Sequence, residues 1–312
     1  MSRHVLVTGG AGFIGSHIAD AFIERGDRVT IIDNLSTGDR RNVNPNAELH
    51  VADLRDPQTL DLVRELRPHL VSHHAAQIDV RHSVSDPAND AEVNIVATIR
   101  LLQASVDAGV KRFIFASTGG AIYGDPVFAP QTEEHPRNPL SPYGCAKLAV
   151  EHYMHYYREV HGLNTVALRY ANIYGPRQNS KGEAGVIAIF ADKLLRGDEV
   201  TINGDGEQTR DYVFVADVVR ANLAVADDPS LRGPFNVGTG VESTVNELYR
   251  ELAAAAGVTA EAKHGPAKVG EQRRSVLDGT WLRDVGKLPS PIALADGLRE
   301  TFAWFRKTPS CA

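Results

Sequence analysis

Two side chains four positions apart, Tyr143 and Lys147 in SPYGCAKLAVEHY, could do proton chemistry together. At that spacing near the start of a helix both lie on one face. A phenol at its ordinary value of about 10 is a poor base at neutral pH, but a nearby ammonium favours the phenolate and draws it toward working range. Such a pair also describes two ordinary surface neighbours, so its meaning depends on what precedes it. One preceding segment is FIFASTGGAIYGD, a hydrophobic run that turns polar at Ser117 and Thr118 and then sets Gly119 beside Gly120.

The other is TGGAGFIG, where Gly10, Gly12 and Gly15 satisfy G-x-G-x-x-G and Gly9, Gly12 and Gly15 satisfy G-x-x-G-x-x-G. It follows the strand HVLV and opens the first helix, the context such a turn needs to bring bare backbone and a positive helix end to a pyrophosphate. The second strand ends in Asp33, where a carboxylate can grip the ribose hydroxyls and repel a 2′-phosphate, which favours NAD over NADP. Asp53 in ADLRD ends a third strand and can meet the adenine. Ala75 and Ala76 follow a fourth strand and leave room for a cofactor against the backbone. Each of these alone reads equally well as turn or packing; their order along the chain gives them value.

The elements that must position these residues alternate. HVLVTGG, RVTIIDN, HLVSHHAA, KRFIFAST and NTVALRY read as strands. Ser16 to Glu24, Pro57 to Glu65, Val93 to Ala108 and Tyr143 to Val160 read as helices. This βα repetition predicts an α/β fold, a Rossmann-type doubly wound parallel sheet with a smaller C-terminal α/β lobe. Residues 1–172 form the cofactor half and 173–312 the smaller substrate half, with 211–238 returning to the first. In the second half the loop PRQNSKGEAG leads to a helix Val186 to Arg196 and then the turn-rich NGDGEQTRDY. There is no internal repeat, and the tail KTPSCA is expected to fray.

Composition narrows the partners. At 312 residues, 23% charged and 43% hydrophobic, the chain can bury a large core, and its net charge of -6 argues against nucleic acid or anionic membrane. No apolar run approaches the ~20 residues of a membrane span, and the N-terminus enters a strand directly, so a cytoplasmic location is expected. Cys145 and Cys311 are too few for a disulfide framework. The histidines at 73, 74 and 82, or at 152, 155 and 161, lack the Cys or acidic company of a metal site, and none is expected.

TGGAGFIG, DNLSTG, YGCAK and LRYANIYGPR together resemble the extended short-chain dehydrogenase/reductase family, and within it the UDP-glucose 4-epimerases. The similarity runs through TRDYVFVADV to the C-terminal helix. The resemblance implies bound NAD, a UDP-sugar between the lobes, and a homodimer joined by helices around 95 to 108 and 147 to 160. It assigns Tyr143 as proton acceptor and donor at the sugar C4 hydroxyl and Lys147 as holder of the nicotinamide ribose. Gly9, Gly12, Phe13, Ile14, Gly15, Asp33, Asn34, Ser36, Gly38, Asp53, Leu54, Ala75, Ala76, Asn94, Ser117, Tyr143, Lys147 and Tyr170 match cofactor positions. Of these, Asn94 supports conformation near the catalytic helix and Tyr170 stands beside the nicotinamide. Thr118, Gly119, Gly120, Tyr143, Asn172, Gly185, Val186, Arg210, Lys268, Glu271 and Ser275 match substrate positions, Arg210 through the fit of a guanidinium to diphosphate oxygens.

Two departures stand out. The family places a Ser or Thr four residues before the tyrosine of the AIYG-like segment, and here that position is Gly119, leaving Thr118 or a water to assist Tyr143. The same glycines occupy the places where the related 4,6-dehydratases carry their acid and base, so a dehydratase lacks its chemistry here. In KVGEQRRS, Lys268 stands where the epimerases carry Arg, with Arg273 or Arg274 near enough to compensate. Ser275 replaces a bulky aromatic of some epimerases, which predicts room for N-acetylated UDP-hexoses. The alternatives are another nucleotide-sugar enzyme of the same fold or a weakly active NAD-binding regulatory protein.

Overall fold

The structure is a computed structural model that describes residues 2–180, 185–259, 261–267 and 272–308. Strand β1 (His4–Thr8) is buried from end to end, with Val5 and Val7 in the core on one side and Leu6 in the core on the other. Successive strand side chains point to opposite faces, so a central parallel strand covered by helices on both must be apolar throughout. From it the chain runs through α1 (Phe13–Glu24), β2 (Arg28–Asp33), β3 (Glu48–Val51), α2 (Pro57–Leu66) and β4 (Leu70–His73). Next come α3 (Val80–Ser85), α4 (Pro87–Ala91), a π-turn at Glu92–Val96, α5 (Ala97–Asp107), β5 (Arg112–Thr118), the single turn α6 (Gly119–Ile122), α7 (Pro142–His161) and β6 (Thr165–Tyr170).

The remaining elements are β7 (Asn172–Tyr174), α8 (Val186–Arg196), β8 (Thr201–Asn203), β9 (Thr209–Arg210), β10 (Tyr212–Phe214), α9 (Val215–Asp227), β11 (Phe235–Val237), β12 (Ser243–Thr244), α10 (Val245–Ala256), β13 (Lys263–Gly265), β14 (Arg274–Ser275), α11 (Thr280–Val285) and α12 (Leu294–Lys307). Seven parallel strands form the main sheet in the order β11-β6-β5-β4-β1-β2-β3. Ile18 and Phe22 of α1 and Val218 and Val225 of α9 pack on one face; Val63 of α2, Leu101 of α5 and Met154 of α7 pack on the other. The strand order reverses between β1 and β4, which opens a crevice at their carboxyl ends, the usual ligand position in such sheets.

A separate core joins α8, α10 and α12 through Phe190, Leu248, Leu252, Leu298 and Phe302. Short pairings β7 with β10, β8 with β13, and β9 with β12 and β14 border it. Among the described residues no helix is long and apolar enough to cross a membrane.

Three expected boundaries shift. The first helix begins at Phe13 directly after Gly12, three residues before the expected Ser16. The third strand ends at Val51, so Asp53 lies in the turn beyond it. The expected helix Val93 to Ala108 contains the π-turn, whose Asn94 side chain bonds out to Gln77 and Asp90. A one-residue widening of this kind re-aims a side chain and is common at functional sites.

Candidate active site

The glycine turn is fixed by close packing. A Cβ on Gly9, whose φ is +70°, would sit 2.6 Å from the Ala75 nitrogen, and one on Gly15 would strike the Gly9 carbonyl oxygen. Ala75 therefore lies directly against the turn. Gly12 caps α1 with no side-chain cap, so the first-turn N–H groups at Phe13 and Ile14 are left for an anion. Asp33 is buried, accepting from Ala11 N at 2.9 Å and Leu35 N at 2.8 Å, and Gly38 leaves space for its carboxylate. Asn34 donates to Asp53 at 2.9 Å and accepts from Ser36 N at 3.0 Å. Arg55, bonded to Asp53, holds that carboxyl far below the usual carboxylate range. Leu54 is buried beside them. The ring Nδ1 of His74, next to Ala75, is buried without a partner, an atom that a ligand could satisfy. These features fit a dinucleotide: Gly9, Gly12 and Gly15 would admit its pyrophosphate and Asp33 its ribose.

The helix that carries Tyr143 and Lys147, α7, starts with Ser141 accepting from Gly144 N at 3.1 Å and with Pro142 in the first turn, both favourable start residues. This brings Tyr143 and Lys147 against the end of β5. Lys147 is 4% exposed; its Nζ donates to Ala116 O at 2.9 Å and lies 4.6 Å from the Phe115 ring centroid and 5.7 Å from that of Tyr143. Burial lowers the Lys147 ammonium to about 8, opposed by Asp90. Burial pushes the Tyr143 phenol above its ordinary range, and Asp90 adds to this.

Thr118 ends β5, and its hydroxyl has no hydrogen-bond partner among the described residues; an ideal Cβ on Gly120 would lie 3.9 Å from that oxygen. Ser117 points the other way and donates to Glu151 at 2.6 Å. Glu151 in turn pairs with fully buried Arg169, which reaches the Tyr123 hydroxyl at 2.9 Å. Ser117 is therefore tied to the frame beneath the site. Asn94 is engaged likewise: its amide accepts from Gln77 N and donates to Gln77 O and Asp90, each at 2.9 Å, which pins the loop after β4. Tyr170 is buried, accepts from Asn222 at 2.8 Å and lies parallel to the His74 ring, 6.5 Å between centroids. Burial and Lys147 hold His74 down to about 3, so it is neutral.

On the other side, Asn172 is exposed, and Gly185 and Val186 open α8. Arg210 and Ser275 are partners in the parallel pair β9–β14, with Ser275 3% exposed. Lys268 and Glu271 lie outside the described residues. Arg273 is paired with Asp205 and Arg274 with Glu242, so both have acidic partners other than a ligand.

Sequence reasoning passed over Asp90, Glu151 and Asp211. Glu151 was findable, since Tyr143, Lys147 and Glu151 recur at i, i+4 and i+8 on one helical face, and Asp90 stands four before Asn94. Asp211, which accepts from Thr239, Gly240 and Leu277, had no signal of this kind.

A switch-point glycine turn joined to a helix-borne Tyr–Lys pair defines a class, and the chain belongs to the NAD dependent epimerase/dehydratase family, whose model matches residues 5–238. Within that class it is 43% identical over 306 residues to the UDP-glucose 4-epimerase of Mycolicibacterium smegmatis, covering 96% of this chain and 98% of the relative. It is similar to the crystal structure of Thermotoga maritima UDP-glucose 4-epimerase with UDP-glucose: TM-score 0.94, 46% identity, 98% of this chain and 99% of that one. A UDP-N-acetylglucosamine 4-epimerase from Methanobrevibacter ruminantium, in complex with UDP-N-acetylmuramic acid, gives a TM-score of 0.93 at 35% identity over 98% of this chain and 99% of that one.

Proposed function

We propose that this chain is an NAD-dependent UDP-hexose 4-epimerase that interconverts UDP-glucose and UDP-galactose and also accepts UDP-GlcNAc and UDP-GalNAc. The observation that carries the reading is the buried Lys147, bonded to Ala116 O of β5 and beside the Tyr143 ring, at a strand end where Thr118 is followed by Gly119 and Gly120, which supply no acid or base. Reversible oxidation at C4 needs one proton acceptor and donor; elimination of water needs more. Held by the glycine turn at Gly9, Gly12 and Gly15 and by Asp33, NAD would supply the hydride acceptor and donor that reversible oxidation at C4 needs. Tyr143 takes the C4 hydroxyl proton and gives it back, so atoms and charge balance over the cycle. Lys147, fixed by Ala116 O, supplies positive charge beside the phenol, and Thr118 shares the C4 hydroxyl.

Residues 1–172, together with 211–238, would serve the dinucleotide and the rest of 173–312 the UDP-sugar. Arg210, Asn172 and Ser275 line the substrate, with Arg210 on the diphosphate. The protein works in the cytoplasm as a homodimer through α5 and α7. Tyr153, Tyr156 and Val160, exposed along α7, support that pairing. Light scattering on the eluting protein tests it, and a monomer mass would refute it.

The decisive experiment incubates the purified protein with UDP-galactose, UDP-GlcNAc and dTDP-glucose without added reductant and follows the sugars by NMR. C4 epimers of the UDP-sugars are expected. Net release of NADH, or a 4-keto-6-deoxy product, would overturn the proposal.

A further inference from the structure

Asp211 is buried to 1% exposure, yet among the described residues no cation is bonded to it. Its carboxylate accepts instead from four neutral donors: Thr239 N at 3.0 Å, Thr239 Oγ1 at 2.6 Å, Gly240 N at 3.3 Å and Leu277 N at 3.2 Å. Its backbone is as fully used. The carbonyl accepts from Asn172 N at 3.0 Å, and the N–H donates to Ser275 O at 2.9 Å. Gly238 has no room for a side chain because a Cβ would sit 2.7 Å from Asp211 Oδ2. Burial pushes the carboxyl up to about 6 while these donors pull it down, so it is ionised at neutral pH.

The bonds to Asn172, Ser275 and Leu277 lead to the substrate side or to the end of β5, and those to Thr239 and Gly240 lead to the turn after β11. Asn172 and Ser275 are substrate positions, Arg210 is the preceding residue, and Leu277 packs against Gly119 at the end of β5. We infer that Asp211 is the positioning residue that holds Arg210, Asn172 and Ser275 as one wall and clasps that wall to the catalytic strand. It touches neither cofactor nor reacting atoms. The inference rests on reading Arg210 as the diphosphate residue. An amide at position 211 keeps the shape but turns an N–H toward donors that need an acceptor, leaving buried N–H groups unpaired.

The test compares Asp211→Asn, Thr239→Val and Arg210→Gln with the wild-type holoprotein, measuring UDP affinity by calorimetry, KM and kcat, and the NAD retained after gel filtration. Asp211→Asn should weaken UDP binding and raise KM about 10-fold, with kcat within about 3-fold and NAD retention unchanged. Thr239→Val, which removes the shortest bond to Asp211 together with the Val241 N–H bond to the same hydroxyl, should weaken UDP binding about 3-fold and decides the matter if Asp211→Asn does not fold. Unchanged UDP affinity in these two, or an equal loss of NAD, would overturn the inference. If Arg210→Gln leaves UDP affinity intact, the reading of the site fails; if Arg210→Gln weakens it and Asp211→Asn does not, the clasp alone fails.

Discussion

Gly119 and Leu277 share one space: a Cβ added to Gly119 would fall on the Leu277 side chain, overlapping Cδ1 and lying 2.8 Å from Cδ2. Leu277 is fully buried there with Ile122 and Tyr123. The hydroxyl expected four residues before Tyr123 is therefore not simply missing. An aliphatic side chain from a distant segment fills its place, and the strand end is built around it.

Replacing Gly119 with Ser should consequently not restore a catalytic hydroxyl. It forces Leu277 aside, and overpacking of this kind costs about 1–3 kcal/mol. Denaturant unfolding should show that loss together with reduced turnover. In the double variant Gly119→Ser, Leu277→Val the penalty should shrink; a fully stable, faster Gly119→Ser enzyme would contradict the packing argument.

On the proposed reading, Thr118 is the hydroxyl that serves the sugar. Thr118→Val should lower kcat about 10- to 100-fold, and Tyr143→Phe by about 10²- to 10⁴-fold, with UDP affinity kept in both. Single-turnover kinetics with UDP-galactose read this directly. Full turnover in Thr118→Val would leave water, not Thr118, as the partner of Tyr143.

Lys147 sets an alkaline limit. Its ammonium loses its proton near pH 8, so kcat/KM should fall as pH rises past about 8. The stability effect has the opposite sign. A lysine whose folded value lies below its unfolded one penalises folding while charged, fully below pH 8, and the penalty fades as pH climbs toward the unfolded value. Lys147→Met should thus be more stable than wild type at pH 7, with the gap closing by pH 10. Thermal melts across that range check it, and a gap that widens with pH would refute it.

On the proposed reading, Ser275 bears on sugar choice. Ser275→Tyr should cut kcat/KM for UDP-GlcNAc at least about 10-fold relative to UDP-glucose, since a bulky ring takes the room of the acetyl group. An unchanged ratio of the two rates would remove Ser275 from the pocket.

What the chain reveals by reading alone is mostly local. The all-apolar run at Val5 to Val7, the glycine turn, and the four-residue spacing of Tyr143 and Lys147 are short-range patterns, and each appears in the fold where expected. Leu277 against Gly119, Arg169 with Glu151 beneath Ser117, and the bonds of Asp211 join segments that only tertiary folding brings together. No periodicity encodes them. The π-turn at Asn94 escaped for a related reason: a 3.6-residue pattern cannot show one extra residue whose side chain is drawn out by Gln77 and Asp90.

Asp33 carries a consequence for how this enzyme can change. Both of its carboxylate oxygens are already engaged, one by Ala11 N inside the glycine turn and one by Leu35 N. The group expected to discriminate between the two dinucleotides is thus also a brace of the glycine turn. A lineage or an engineer exchanging Asp33 for a neutral residue to admit a 2′-phosphate would loosen that turn in the same step. A switch of cofactor in this scaffold therefore has to pass through a second change near Ala11 or Gly38 that restores the brace.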